Sequence, residues 1–366
     1  MIYRVTGVAS LAVLVYALYW TVRLERADWL FRKGDAAGIR PAMALAPDTA
    51  EYASALAQAD PVQAVGILQK AAAANPLDGG LRIELGLAQE QQGDLVGGEK
   101  SLLAATRLDA GFAPRWALAD FYFHRRDAAK FWPAMRDALN VSYGDLAEQF
   151  RECWSMEADP ATTLDRAIPD RPAVQRQYLN FLLSENRLDA APPVAMRVLA
   201  AADREAAPSL LNYCDRMLAQ WRGEEARAVW DGLVKRNLVA EPDRGFDLRI
   251  STPPGIEAER TASGAILRFS GRQPENAELL SQYIALVPRR RYLFTARYRI
   301  SGIPPGSGLI SALRLPDGRD LPADIAFQAP DGVTLGRLFL AYRRAPGTVR
   351  IEGSLTLEKF LVVEVQ

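Results

Sequence analysis

Two stretches of this chain can be laid over one another. Residues 81–106, "LRIELGLAQEQQGDLVGGEKSLLAAT", match 114–139, "PRWALADFYFHRRDAAKFWPAMRDAL", at an offset of 33. Leu85 meets Leu118, Gly86 meets Ala119, Asp94 meets Asp127, Leu102 meets Met135 and Ala105 meets Ala138. A repeat of this length constrains the fold strongly. A unit of two short helices cannot bury its apolar face alone, so it must stack on its neighbours. Looser units follow the same pattern at 51–76, 173–201 and 210–236, with breaks at Asp60-Pro61, near Leu188-Asp189-Ala190, and at Gly223-Glu224. Residues 35–240 therefore read as helical hairpins, with a non-repeating helical bundle as the alternative.

The paired unit resembles the tetratricopeptide repeat. Gly86 and Ala119 supply its small residue at the helix crossing. Gly93-Asp94, weakened to Arg126-Asp127, supplies its turn, and Pro76 and Pro47 its closing prolines. The resemblance implies a surface that binds a protein partner. The rings of Trp116, Phe121, Tyr122, Phe123, Phe131 and Trp132 read mainly as packing, with a minority lining a groove.

Helical periodicity stops at "PDRGF" (242–246), and short strands with Pro/Gly turns follow. Strands are expected near 246–251, 256–261, 265–270, 278–287, 290–300, 309–315, 323–328, 333–343 and 349–365. Residues 246–366 thus form an antiparallel β-sandwich on this reading. "QYIALVPRRRYLFTARYRI" and "VRIEGSLTLEKFLVVEV" resemble jelly-roll domains of the carbohydrate-binding and galactose-binding-like type.

Between Arg4 and Arg23, residues 5–22 carry no charge. At the rise of an α-helix they span about 27 Å, enough to cross a bilayer core. Tyr16, Tyr19 and Trp20 gather at one end, as in an interfacial aromatic belt. A cleaved signal peptide would need a small-residue cleavage site, and "RLERADWLFRKGD" offers no clean one. Residues 1–34 therefore read as a single-pass inner-membrane anchor with its flank. Arg23, Arg26, Arg32 and Lys33 favour a cytoplasmic body. The short preceding tail favours export. An anchor, helical repeats and a terminal sandwich in this order also resemble membrane-bound proteins that accompany bacterial exopolysaccharide or O-antigen production. That resemblance implies a periplasmic body.

The chemistry is limited. His124 is the only histidine, so multi-histidine metal centres are excluded, and it reads as a helix-surface residue. Cys153 and Cys214 read as buried thiols, with a disulfide left open. Lys+Arg and Asp+Glu both total 44, which gives no nucleic-acid character. No phosphate loop is visible, and no catalytic residue, metal site or cofactor is expected. The candidate ligand-binding residues are Arg268, Arg297, Arg299, Arg337, Phe339 and Arg343. Strand alternation turns all six away from the apolar side, so they share a face if their strands are neighbours in one sheet. Arginine binds carboxylates and phosphates through two parallel hydrogen bonds, which suits an acidic polysaccharide or a phosphoglycolipid. The same face could instead be solvated, or packed on the helices through "RGEEAR" (222–227). Glu275, Asn276 and Glu278 form a thin candidate for calcium.

The expected function is a non-enzymatic, membrane-anchored scaffold. Its repeats hold a protein partner, and its sandwich contacts a cell-envelope polysaccharide or packs on the repeats. A glycan-binding accessory is the second reading, and a glycan-processing enzyme built on a carboxylate pair is the third.

Overall fold

A computed structural model describes residues 2–34, 36–239, 246–261 and 264–365, with side chains from residue 11 onward except that of Ala36. Of the composition change at 242–246, residues 242–245 lie outside the described ones. The chain divides into two compact units, Met1–Phe181 and Leu182–Gln366.

The first unit is helical. Its elements are α1 (Ile2–Phe31), α2 (Ala36–Leu45), α3 (Ala50–Ala59), α4 (Ala64–Ala74), α5 (Gly79–Gln91), α6 (Leu95–Leu108), α7 (Phe112–His124), α8 (Ala128–Asn140), α9 (Ala147–Met156), the short α10 (Pro160–Thr162) and most of α11 (Pro172–Ser184). The 33-residue offset is structural, since α5/α6 and α7/α8 are equivalent antiparallel hairpins. Asp94 and Asp127 cap the second helix of each, accepting hydrogen bonds from the backbone N–H of Gly97 and Lys130. Gly86 is required at its crossing: a Cβ there would lie 2.7 Å from Leu102 Cγ. These hairpins have the tetratricopeptide-like form.

The turn inside the hairpin recurs without its glycine. Gly93, Arg126, Asn186 and Trp221 all have left-handed backbone, with φ of +83°, +54°, +56° and +60°. After each, the next N–H reaches back five residues, Asp94 to Gln89 and Asp127 to Tyr122, then Arg187 to Leu182 and Arg222 to Met217, at 2.8–3.1 Å. This is the Schellman closure of a helix end. Only Gly93 adopts it without steric cost.

At α1 the packing changes along the helix. Ala27 and Phe31 pack with Ala42, Ala46 and Tyr52. Leu11, Val13, Leu14, Val15, Leu18 and Val22 are more than half exposed, and every residue from 11 to 19 is exposed, so the helix is bare on all sides there. Among the described residues no helix is long and apolar enough to cross a membrane. The side chains of 5–10, within the expected span 5–22, lie outside the described ones.

Among the described residues the second unit holds α12 (Ala191–Ala200), α13 (Ala207–Ala219), α14 (Gly223–Lys235) and ten strands. These are β1 (Arg249–Ile250), β2 (Ile256–Thr261), β3 (Gly264–Ser270), β4 (Asn276–Ala285), β5 (Arg291–Ser301), β6 (Leu309–Arg314), β7 (Asp320–Pro322), β8 (Ala326–Gln328), β9 (Leu335–Arg343) and β10 (Glu352–Val365). They form two antiparallel five-stranded sheets, ordered β1-β4-β9-β6-β7 and β2-β3-β10-β5-β8. Both sheets contribute to the same apolar clusters. Leu267, Phe269, Leu355 and Leu357 of one join Leu279, Leu340 and Tyr342 of the other. Further along, Phe294 and Val362 join Ile284, Leu313 and Leu338.

The outward side of the β4/β9/β6 sheet is also buried. Ser281, Phe339 and Ala312 are register partners across β4, β9 and β6, and all three are buried. Helices of this unit dock on the same sheet. Trp221 meets Tyr283 edge-on at 5.9 Å, Trp230 meets Phe246 at 5.4 Å, Asp215 on α13 pairs with Arg249, and Gly223 lies against Leu335. The compact division therefore falls inside α11, well before the composition change, because α12–α14 pack with the strands.

Candidate functional site

The six residues expected on one face are split between the two sheets. Arg268 on β3 and Arg297 and Arg299 on β5 belong to one sheet, whereas Arg337, Phe339 and Arg343 on β9 belong to the other. Alternation along each strand was read correctly. The partition was not, because β10 inserts between β3 and β5 while β9 pairs with β4 and β6. Phe339 faces away from the shared core as expected but is 3% exposed, with the Arg314 guanidinium over its ring at 4.8 Å. It presents no platform for a sugar. Arg337 pairs with Glu278 and lies over the Tyr283 ring. Arg343 is exposed at its strand end. The remaining three arginines are brought together, but each faces an acid. Arg268 meets Glu259 at 3.1 Å, Arg297 meets Asp324 at 2.6 Å and Arg299 meets Glu358 at 2.8 Å.

Residues 271–278, the last three of which open β4, are likewise neutralised. Glu275 faces Arg344 and, at 3.9 Å, Arg350, while Glu278 faces Arg337. Gln273 is buried and donates to the Ile351 carbonyl at 2.8 Å. No group of acids, cysteines and histidine suited to a metal ion occurs among the described residues. Cys153 and Cys214 are free and buried, which closes the disulfide alternative.

The most strongly perturbed carboxyl lies elsewhere, among the first helices of successive hairpins. Asp120 and His124 on α7 stand beside Glu90 on α5 and Glu148 and Glu152 on α9. His124 places Nδ1 3.3 Å from Glu90 and Nε2 3.5 Å from Asp120. Asp120 and Glu152 are hydrogen-bonded to each other. Burial, then the Asp120 and Glu148 charges, pushes the Glu152 carboxyl up to about 8 from 4.5. Burial also raises Asp120, and the neighbouring His124 opposes that rise. Such a pair holds its last proton jointly. Oε2 of Glu152 is buried without a hydrogen-bond partner.

The same face of α7 carries rings one and two turns earlier. Phe112 stacks on Trp116 with centroids 6.3 Å apart, and Tyr143, from the loop after α8, meets Phe112 edge-on at 5.8 Å. Phe112, Trp116, Asp120 and His124 recur every four residues and so form one stripe. Phe112 and Trp116 are partly exposed, and Tyr143 is 75% exposed. Sequence reasoning assigned Trp116 mostly to packing and His124 to a bland helix surface. The four-residue spacing on α7 was visible, but Glu152, 32 positions beyond Asp120, was not a visible neighbour.

No family model matches the chain, and no curated protein matches it. Among solved structures, YrrB, "a TPR protein with an unusual peptide-binding site", aligns with TM-score 0.27 and 14% identity, over 55% of this chain and 92% of that one. Pseudomonas aeruginosa pilF aligns with TM-score 0.23 and 15% identity, over 59% and 91%. A human IFIT1 dimer with m7Gppp-AAAA aligns with TM-score 0.24 and 14% identity, over 56% and 46%. The hairpin geometry described above stands on its own at scores this low.

Proposed function

We propose that this chain is a non-enzymatic scaffold that holds a partner protein on the first-helix face of α5, α7 and α9. The observation that carries this reading is the stripe from Tyr143 and Phe112 through Trp116 to Asp120 and His124. It combines partly exposed rings with a neighbouring carboxyl, Glu152, whose Oε2 has no hydrogen-bond partner inside the chain. Exposed aromatics beside unsatisfied polar atoms mark surfaces that another molecule covers. Photo-crosslinking tests it. Benzoylphenylalanine at position 116 should capture a discrete partner in the source cell, and the same group at Arg260 on β2 should not. Equal capture from both positions would refute it.

On this reading α1 anchors the scaffold in the inner membrane through residues 5–22. The supporting observation is the apolar surface of residues 11–22, exposed on every side of the helix while Ala27 and Phe31 are packed. The body is then periplasmic, and the two sheets form a jelly-roll-like sandwich that touches a cell-envelope polysaccharide during polymer assembly or export. A glycan-binding accessory is the second reading. It has in its favour the shared face of Arg268, Arg297 and Arg299, and mutating Arg297 and Arg299 to Ala should abolish polysaccharide binding if it holds.

A further inference from the structure

We propose that the α7 stripe is a docking site for a cationic side chain, an arginine or lysine carried on an extended peptide segment of the partner. The inference deepens the partner-binding reading of the same face and rests on it.

The aromatic surface comes first. Phe112 and Trp116 stack with their planes 3° apart, and the exposed Tyr143 ring closes on Phe112 from the following loop. These rings stand at one end of the stripe instead of filling the hairpin core, where Phe121, Phe131 and Met135 are buried. A ring face attracts a cation, and a guanidinium also stacks on it.

Charge then selects the occupant. One turn beyond Trp116 the stripe meets Asp120, with Glu148 and Glu152 from α9 and Glu90 from α5. Of these four carboxyls, Glu90 and Asp120 face His124, and Asp120 and Glu152 share a hydrogen bond. The neighbouring arginines of α7 do not supply the missing cation. Arg115 donates to the Ala110 and Gly111 carbonyls, and Arg125 lies over the Phe121 ring at 5.3 Å. The Glu152 oxygen without a donor would gain one from an incoming guanidinium. A phosphorylated or acidic segment would meet like charge here, and a neutral one would bring no charged donor to the Glu152 oxygen.

The test uses the full chain in detergent micelles at 150 mM salt, with fluorescein-labelled peptides read by anisotropy. The probes are Gly-Ser-Arg-Ala-Arg-Ser-Gly and its counterparts with serine or glutamate in place of both arginines. The arginine peptide should bind at least tenfold more tightly than the other two. Trp116→Ala and the isosteric pair Asp120→Asn/Glu152→Gln should each weaken it at least tenfold. Trp116→Phe should retain most of the binding, and Asp317→Asn/Asp331→Asn in the second unit should leave it unchanged. Circular dichroism confirms that each variant is folded. Equal binding of all three peptides, lost together in Trp116→Ala, would overturn the cationic preference and leave partner binding standing. Binding of none would overturn both. Arginine-peptide binding that survives the double substitution would overturn this site.

Discussion

Replacing Glu152 with glutamine should stabilise the protein, and should do so only as the pH rises. The native fold holds the Glu152 proton more tightly than the unfolded chain does, because burial and Asp120 oppose ionisation. A carboxyl raised in this way contributes stability that is fully present below its ordinary value of 4.5. That contribution is lost as the pH climbs through about 8. At face value this rise would correspond to about 5 kcal/mol. The carboxyl is only half-buried and partly screened by water, so about 2 kcal/mol is the expected penalty in the native protein at pH 9. Glutamine keeps the shape, can hydrogen-bond Asp120 and does not titrate. In urea titrations followed by far-ultraviolet circular dichroism, Glu152→Gln and wild type should nearly coincide at pH 4. They should separate between pH 5 and 8 and differ by about 2 kcal/mol at pH 9. The charges that act on Glu152 are those of Asp120 on α7 and Glu148 on α9, and Asp120 in turn faces His124. Repeating the series in a His124→Gln background removes the single histidine from the window. A gap that stays constant with pH, or a variant less stable than wild type at pH 9, would refute the burial of this carboxyl against Asp120.

Other substitutions test the fold. Gly93→Ala should cost about 1 kcal/mol in thermal unfolding from its left-handed backbone alone, since no atom lies within 4 Å of the new Cβ. Gly86→Val should cost more, about 2 kcal/mol, because the side chain enters the space of Leu102. Trp221→Ala should cost about 2–3 kcal/mol in the second unit, by removing the ring that lies on Tyr283. Both thiols should resist an aromatic disulfide reagent in the native protein and react in urea, because burial pushes Cys214 up to about 12 and Cys153 higher still.

Much of the local structure was legible in the chain. The 33-residue offset, the Asp94 and Asp127 caps and the small residue at Gly86 are local rules, and a hairpin obeys them wherever it sits. Strand alternation was legible for the same reason: Leu338, Leu340 and Tyr342 turn to the core and Phe339 turns away. Sheet membership was not, because β9 lies between β4 and β6 through pairings that span tens of residues. Whether an outward face meets water is equally non-local, and Phe339 is buried on its outward side. The left-handed residues at Arg126 and Trp221 carry no glycine to mark them. The acid pair was hidden for a related reason. Asp120 and Glu152 are each unremarkable on their own helices, and only the stacking of α9 on the preceding hairpin brings them into one hydrogen bond.

Hydrogen–deuterium exchange on the full chain, with and without saturating arginine peptide, tests the placement of the partner site most directly. Slowed exchange confined to residues 83–91, 112–124 and 143–156 is the predicted result, with the strands unaffected. Protection that falls instead on β3, β5 and β10, or on the second helices α6 and α8, would contradict it.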